Sequence, residues 1–204
     1  MGITSAAPDG FPIESPACPG VITGAVNDPA ALELRIRVPT NAKSFKFNLN
    51  FYTFEFPEYI CSQFNDFFVT LMDPPPPTAV KGNISFDQDT NPISVNNSLL
   101  QVCVAQKAPP NPQDGGAQKD FPCPLGPGLL DNTGFAAPTN SGPHAATGWL
   151  VTSAPVAPGS IVTLRFAIWD SGDPVLDSTV LIDNFEWSVD PATQPITEPV
   201  KNPK

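Results

Sequence analysis

Apolar and polar residues alternate along several stretches of the chain, which is the pattern of strands with one buried face. In residues 31–38 charged side chains separate the apolar Leu32, Leu34, Ile36 and Val38. The other strands are predicted at residues 44–54, 67–72, 84–86, 93–95, 99–105, 147–152, 160–169 and 178–189. No stretch shows the longer period of an amphipathic helix.

Proline and glycine restrict the fold class further. The chain has 27 prolines and 14 glycines, enough to interrupt most helices and to supply many turns. About nine short strands with turn-rich links and no alternating helices indicate an all-β protein. We therefore predict an antiparallel β-sandwich, jelly-roll-like in its connections, with a long Pro/Gly-rich loop over residues 107–143.

The chain length is that of one domain with tails. At 204 residues and 41% hydrophobic content, the chain can bury one sizeable core. We predict an N-terminal arm over residues 1–29, a single β-sandwich domain over 30–189, and a Pro-rich C-terminal linker over 190–204. The linker prediction depends on the absence of apolar periodicity after residue 189.

The net charge argues against two classes of partner. A charge of −10 has the wrong sign for tracking nucleic acid or anionic lipid. No apolar run approaches the roughly 20 residues that a membrane-spanning helix requires. Nucleic acid and a direct membrane span are therefore not expected.

Four cysteines indicate an oxidising compartment. Cys18, Cys61, Cys103 and Cys123 are even in number and form no CxxC pair, which favours structural disulfides over zinc or redox chemistry. Of three possible connectivities we favour Cys103 with Cys123, which leaves Cys18 to pair with Cys61. By closing the loop between its two cysteines, the Cys103–Cys123 disulfide would add about 3 kcal/mol to the free energy of unfolding. Free buried thiols are the alternative.

The most informative cluster follows the strand predicted at residues 160–169. Asp170, Asp173 and Asp177 lie within eight residues, and Gly172 permits a tight bend between them. Such a segment can direct several oxygens at one point, as a hard cation requires. Ligation by oxygen without His or Cys favours Ca²⁺. Asp side chains that cap their own turns are the alternative.

A second acidic segment follows the strand predicted at residues 44–54. It contains Glu55, Glu58, Asn65 and Asp66. Two acidic loops at one end of a sandwich would repel each other unless a cation neutralised them. We therefore predict a structural Ca²⁺ with Asp170, Asp173 and Asp177 as ligands, assisted by Glu55, Glu58 or Asp66.

Catalysis and glycan binding have weaker support in the sequence. His144 is the only histidine, and no GxSxG motif provides a nucleophile. Paired carboxylates such as Glu55 and Asp173 would suit glycoside hydrolysis, but no substrate path is evident, so we predict a non-enzyme. Trp149 and Tyr59 are the aromatic residues predicted to stack a sugar ring if exposed.

Three blocks of the sequence resemble the choice-of-anchor L domain, a bacterial secreted and surface module. They are residues 55–68 (EFPEYICSQFNDFF), residues 83–84 with 91–96 (NI and NPISVN), and residues 164–181 (LRFAIWDSGDPVLDSTVL). The chain departs from the family at Phe54, where the family has a first Glu, and in its long Pro-rich loop. The loop composition is similar to that of copies in predatory or gliding soil bacteria.

This resemblance implies a protein located outside the cell or on its surface, and implies little about biochemistry. With the predicted ion, the leading hypothesis is a non-catalytic, extracellular, calcium-binding module for cell-surface adhesion or matrix interaction. Its partner would be a glycan or a cell-surface or matrix protein. The alternatives are a carbohydrate-binding module and a self-assembling surface or filament subunit, in which unpaired strand edges would serve as joints.

Overall fold

The computed structural model describes residues 7–14, 17–96, 99–112, 118–137 and 142–201. Within these ranges eleven strands form: β1 (Val26–Arg37), β2 (Ser44–Thr53), β3 (Phe67–Asp73), β4 (Ile93–Ser94), β5 (Gln106–Ala108), β6 (Lys119–Phe121), β7 (Ala145–Ala146), β8 (Leu150–Pro155), β9 (Ile161–Ser171), β10 (Ser178–Ser188) and β11 (Ile196–Pro199). Short 3-10 helices cover Pro127–Leu130 and Gly134–Ala136. No described helix is long and apolar enough to span a membrane. The all-β prediction is confirmed.

Two antiparallel sheets stack as a β-sandwich. One sheet has the strand order β1-β9-β3-β4, and the other has β10-β2-β8-β11 with β7 added to β2. Phe47 of β2 lies edge-on to Phe166 of β9, with 5.2 Å between the ring centres. This contact places β2 opposite β9. The hydroxyl of Ser85 hydrogen-bonds to Thr70 of β3 and to Thr152 of β8, so β3 lies toward β8 and the edge strands β1 and β10 lie on the same side of the sandwich. The jelly-roll connectivity stays a prediction.

The main core lies between the sheets and contains the inward-facing side chains of the central strands β2 and β9. Its buried members include Val38, Phe45, Phe47, Leu49, Phe51, Phe68, Leu150, Val162, Leu164 and Phe166. Alternate residues of β2 and β9 supply most of them, as a strand with one face in the core requires. The alternation read from the sequence therefore identifies the core face of both central strands correctly.

The N-terminal arm covers the outer face of the first sheet. Phe11 lies edge-on to Trp169, with ring centres 6.2 Å apart, and Trp169 stacks on Phe67 at 5.3 Å. Trp169 is consequently buried although it points away from the main core. The arm thus extends the hydrophobic core beyond the two sheets.

The long loop is more ordered than expected. β5 and β6 pair as a two-stranded sheet, and the disulfide Cys103–Cys123 closes the excursion that contains them. The other disulfide joins Cys18 to Cys61. These are the two pairs that the sequence analysis favours.

Two of the predicted strands are wrong. Residues 84–86 and 99–105 form only isolated bridges, Phe86 with Pro92 and Val102 with Ala146. Both segments lie close to a neighbouring backbone over too short a length to build a ladder. Ile84 is buried in the main core and Val102 in a smaller hydrophobic cluster, although neither belongs to a ladder. Periodicity alone does not distinguish such residues from those of a strand.

Two strands extend outside residues 30–189, while the predicted domain boundaries stay a prediction. β1 begins at Val26, inside the expected arm. In the expected C-terminal linker, β11 pairs with β8, and Thr197 hydrogen-bonds to Thr152 through their hydroxyls at 2.8 Å. A four-residue strand that pairs with a distant segment leaves too short a pattern for recognition in the sequence.

Candidate functional site

Strand register brings the two acidic segments to the same end of the sandwich. Thr53 at the end of β2 pairs with Ser178 at the start of β10. Phe67 at the start of β3 pairs with Trp169 near the end of β9. The acidic residues within two positions of these pairs are Glu55, Asp66, Asp170 and Asp177. Side chains far apart in the sequence are thereby brought near one another.

Asp66 is the hydrogen-bonded centre of this group. Its side chain is fully buried. One carboxylate oxygen, Oδ1, accepts the backbone N–H of Ser171 at 3.0 Å, and Oδ2 accepts the hydroxyl of Ser178 at 2.7 Å. Asp66 therefore connects the start of β3 to β9 and β10.

Glu55 is buried without full hydrogen bonding. It is 2% exposed, and its Oε2 has no hydrogen-bond partner. Its backbone is held by the turn, since its N–H donates to Thr53 Oγ1 at 3.1 Å and its carbonyl accepts the N–H of Tyr59 at 2.9 Å. A buried oxygen without a hydrogen bond carries a desolvation cost.

Neighbouring charges add to that cost. Burial is the largest cause that raises the pKa of Glu55, to about 9. Repulsion contributes further, in decreasing order, from Asp66, Asp173, Asp170 and Glu58. Glu55 therefore faces carboxylates from both acidic segments.

Two further carboxyl groups show the same effect. Burial raises the pKa of Asp170 to about 7, with added repulsion from Asp66 and Asp177. Burial raises the pKa of Asp66 to about 6, although the hydrogen bonds from Ser178 and Ser171 oppose that change. All six predicted ligands thus belong to one electrostatically connected group, which we call the acidic cluster: Glu55, Glu58, Asp66, Asp170, Asp173 and Asp177.

The members of the acidic cluster differ in position. Glu55, Asp66 and Asp170 are buried, Glu58 and Asp173 are partly exposed, and Asp177 is exposed. Oδ1 of Asp173 accepts the N–H of Val175 at 2.9 Å, so this side chain also caps a turn. In the described part of the chain, no three His, Cys, Asp or Glu side chains form a group that could hold a metal ion as they stand.

Two glycines set the spacing of the loops around the cluster. A Cβ on Gly24 would lie 2.5 Å from Cα of Gly172, and a Cβ on Gly172 would lie 2.6 Å from Cδ1 of Phe64. Gly172 also has a φ of +97°, a conformation that other residues rarely adopt. Its N–H donates to the carbonyl of Ala25 at 2.8 Å. The loops that contain Gly24, Phe64 and Gly172 can therefore meet only because both glycines lack a side chain.

Sequence reasoning missed Ser171, Ser178 and Gly24 as parts of the site. Each serine directly follows a predicted ligand, Asp170 or Asp177, which is the only signal the sequence offers. Ser171 donates its N–H to Asp66, while its buried hydroxyl has no hydrogen-bond partner. That hydroxyl and Glu55 Oε2 are thus two buried oxygens without hydrogen bonds at the same end of the sandwich.

The sugar-binding role of the two predicted aromatics stays a prediction. Tyr59 and Trp149 are both partly exposed, and the Tyr59 ring packs edge-on against Phe64 at 5.1 Å. Two cavities of about 520 and 300 Å³ lie elsewhere, the larger between the N-terminal arm and the outer face of the first sheet. Neither is lined by Tyr59 or Trp149.

His144 is part of the packing near the acidic segment. It is buried, its Nδ1 lies 3.2 Å from the carbonyl oxygen of Phe56, and its ring lies edge-on to Phe54 at 4.6 Å. These contacts hold the strand-end turn that carries Glu55 against the loop before β7.

Comparison with known proteins identifies one match. The sequence model of the family described as Choice-of-anchor L domain matches residues 20–186. No curated protein and no solved structure matches the chain. The matched range contains both acidic segments and the strands of the two sheets, apart from β11 and the last two residues of β10.

Proposed function

Because this chain belongs to the choice-of-anchor L domain family, we propose that it is a non-catalytic, calcium-stabilised module of the bacterial surface that serves adhesion or matrix interaction. The family and the two disulfides indicate a secreted or surface-exposed protein. The proposal adds a structural Ca²⁺ at the acidic cluster. It also assigns contact with a partner to the loops that the ion would order.

The observation that carries the calcium proposal is the buried Glu55 carboxylate. Its Oε2 lacks a hydrogen-bond partner, and four other carboxylates raise its pKa by repulsion. A buried carboxyl group surrounded by carboxylates either stays protonated or ionises beside a bound cation. A divalent cation would offset both the desolvation and the repulsion, and the described residues near Glu55 offer no basic side chain in that role.

The chemistry of the oxygen donors suits calcium. Ca²⁺ takes about six to eight oxygen ligands from carboxylates, carbonyls, side-chain amides and water. Glu55, Asp66 and Asp170 would provide carboxylate oxygens, and Ser171 has a buried hydroxyl without a partner. Partly exposed Asp173 and exposed Asp177 would complete the ligand set by turning toward the buried oxygens. Among the described residues no three acidic side chains are already arranged as a metal site, so the proposal requires the acidic cluster to rearrange when the ion binds.

Protonation is the competing way to relieve the repulsion. A cluster that takes up protons would be stable without metal at acidic pH and indifferent to calcium at any pH. A cluster that binds calcium would respond to the ion most strongly when the carboxylates are ionised. Calcium dependence near neutral and alkaline pH therefore separates the two.

The test is thermal unfolding of the oxidised protein in EDTA, in millimolar calcium and in millimolar magnesium. A site with a Kd of about 10⁻⁴ M at one hundredfold excess of ligand adds about 2.7 kcal/mol to the free energy of unfolding. For a chain of this length that is a rise in Tm of about 5–10 °C. Magnesium should give little shift, because it prefers a compact octahedral site.

Two carboxylate variants sharpen the test. Glu55→Gln keeps the size of the buried side chain and removes its charge, so we expect a stable protein whose Tm no longer depends on calcium. Glu198→Gln alters an exposed carboxylate on β11 and should retain the full calcium shift. Equal Tm in EDTA and calcium for the unaltered protein would contradict the calcium site.

Adhesion is tested separately from calcium binding. Beads coated with the protein are mixed with bacterial cells, immobilised polysaccharides or matrix proteins, in calcium and in EDTA. The proposal expects calcium-dependent retention on at least one of these surfaces, lost with Glu55→Gln and kept with Glu198→Gln. Equal retention in calcium and in EDTA would show that the binding surface does not depend on the loops that the ion would order.

A further inference from the structure

The free edge of β1 differs from the other sheet edges. Among the described strands, β1 pairs only with β9, and residues Ala30–Arg37 do so in an unbroken register. The edge strand β10 is interrupted by a bulge between Asp183 and Glu186. The edge strands β4 and β11 have two and four residues. β1 is therefore the longest regular edge in the described molecule, the feature that proteins usually protect from pairing.

Apolar side chains remain exposed beside this edge. In the register with β9, Leu32 lies opposite Phe166 and Leu34 opposite Leu164, so both leucines point to the core side of the sheet. They nevertheless remain 44% and 36% exposed. Ile182 and Phe185 of β10, on the same open side of the sandwich, are each 37% exposed. Strand β1, which the sequence predicts to have one buried face, therefore leaves part of that face exposed to solvent.

The polar face of β1 carries an ordered set of charges. Its exposed residues alternate as Glu33, Arg35 and Arg37. The chain has only three arginines, and the third, Arg165, is the neighbour of Glu33 on β9. In a protein with a net charge of −10, this edge therefore carries both signs of charge at alternate positions, so it can be complementary to an antiparallel copy of itself.

We infer that the β1 edge pairs with the β1 edge of a second copy of this chain, in an antiparallel, two-fold symmetric dimer. In such a pair, one register places Leu34 on the symmetry axis. Glu33 of each copy then lies opposite Arg35 of the other, and Leu32 lies opposite Ile36 on the apolar face. Both copies thereby gain backbone hydrogen bonds, two charge pairs and covered leucines.

The charges select this register over its neighbours. A shift that placed residue 33 on the axis would bring two Glu33 carboxylates together. A shift that placed residue 35 on the axis would bring two Arg35 guanidinium groups together. Like charges directly opposite each other destabilise a strand pair. The register centred on Leu34 contains only opposite charges on the polar face.

Sedimentation velocity of the full chain at several protein concentrations tests the dimer. The unaltered protein should show a concentration-dependent monomer–dimer equilibrium. Arg35→Glu should weaken it by about tenfold or more, because both charge pairs become repulsive. The charge-swapped double variant Glu33→Arg with Arg35→Glu recreates opposite pairs and should restore dimerisation.

Cysteine cross-linking tests the register directly. All four native cysteines are in disulfides, so an added thiol has no native partner. Leu34→Cys places two thiols on the axis and should form a disulfide-linked dimer on oxidation. Leu32→Cys is the matched control, because its two copies would be displaced by four residues, about 13 Å along the strand, beyond disulfide reach.

The outcomes are distinct. Dimers that respond to the charge variants and cross-link at residue 34 but not at residue 32 support the inference. A protein that stays monomeric at all concentrations overturns it. The inference is also overturned if the protein binds an anionic polysaccharide column as a monomer and loses this binding with Arg35→Glu. That result would assign the basic edge to a different partner. Measurements in EDTA and in calcium keep this result separate from the calcium proposal.

Discussion

Glu55 combines deep burial, an oxygen without a hydrogen bond and four repelling carboxylates. The sequence places Glu55 after a strand and between the apolar side chains of Phe54 and Phe56, which points to a turn packed against the core. It does not show which oxygens are buried, because that depends on loops whose sequences lie more than a hundred residues away. The residue types of the acidic cluster are therefore predictable, whereas their burial and pKa shifts are not.

The raised pKa values predict an unusual pH dependence for the calcium-free protein. Unfolded carboxyl groups titrate near about 4, while those of Asp66, Asp170 and Glu55 titrate at about 6, 7 and 9 in the fold. The folded state binds more protons, so the stabilising contribution is present below pH 4 and is lost as the pH rises through these values. Urea denaturation in EDTA from pH 4 to pH 9 should show falling stability.

Calcium should reverse this trend, with the largest gain at the alkaline end of the range. Glu55→Gln removes the group with the highest pKa, so the decline in EDTA should become shallower in that variant. Stability that is constant or rises with pH in EDTA would contradict the assigned repulsion. The same pH series thus distinguishes proton uptake from metal binding.

Loops around the cluster depend on backbone contact between Gly24 and Gly172. Alternation in the sequence identifies the long strands, but the approach of two loops through their glycines leaves no periodic signal. The two wrong strand predictions have the same origin, since Ile84 and Val102 are buried in segments that form only isolated bridges. The local alternation of residues is therefore enough to predict the long central strands. The loops and short segments depend on contacts between residues that are distant in the sequence.

Gly172→Ala should disturb the end of the sandwich where the cluster lies. The added Cβ would meet Phe64 at 2.6 Å in a backbone with φ of +97°, so we expect a loss of about 1–3 kcal/mol in the free energy of unfolding. The calcium-induced rise in Tm should shrink as well, because the loops would separate. Chemical denaturation and calcium titration provide the two measurements.

Two glycine controls separate strain from contact. Gly20 has a φ of +81° with nothing within 4 Å of an added Cβ, and Gly128 has open space without that conformation. Gly20→Ala should cost only the backbone strain, and Gly128→Ala should be nearly neutral. If Gly172→Ala and Gly20→Ala lowered the free energy of unfolding equally, the contact of the added Cβ with Phe64 would not contribute to the loss.

At the scale of the whole molecule, a second hydrophobic cluster joins the disulfide-closed loop to the acidic end. Its buried members are Phe56, Ile60, Val95, Leu100, Cys103, Ala108, Phe121, Cys123 and Ala145. Phe56 lies next to Glu55 in the chain, and its ring packs edge-on against Phe121 of β6 at 5.2 Å. The Pro/Gly-rich loop, expected to be irregular, thus supports the segment that would hold the ion.

This connection predicts that the Cys103–Cys123 disulfide stabilises calcium binding as well as the fold. The bond closes a segment of 20 residues, so the double variant Cys103→Ala with Cys123→Ala should lose about 3 kcal/mol in the free energy of unfolding. Because β6 would then hold Phe56 less firmly, the calcium concentration at half-maximal stabilisation should rise. The main core between the sheets shares no member with this cluster, so cooperative unfolding of the sandwich should persist.

The double cysteine variant therefore tests whether the long loop only stabilises the fold or also supports the calcium site. An accessory loop would lower stability on loss of the disulfide and leave the calcium titration unchanged. A loop that supports the site would weaken calcium binding in the same variant, and Phe121→Leu, which keeps both cysteines but removes the ring contact with Phe56, would weaken it too. Agreement between the two variants would locate the effect in the contact between β6 and the Glu55 turn, since it is the interaction that both of them alter.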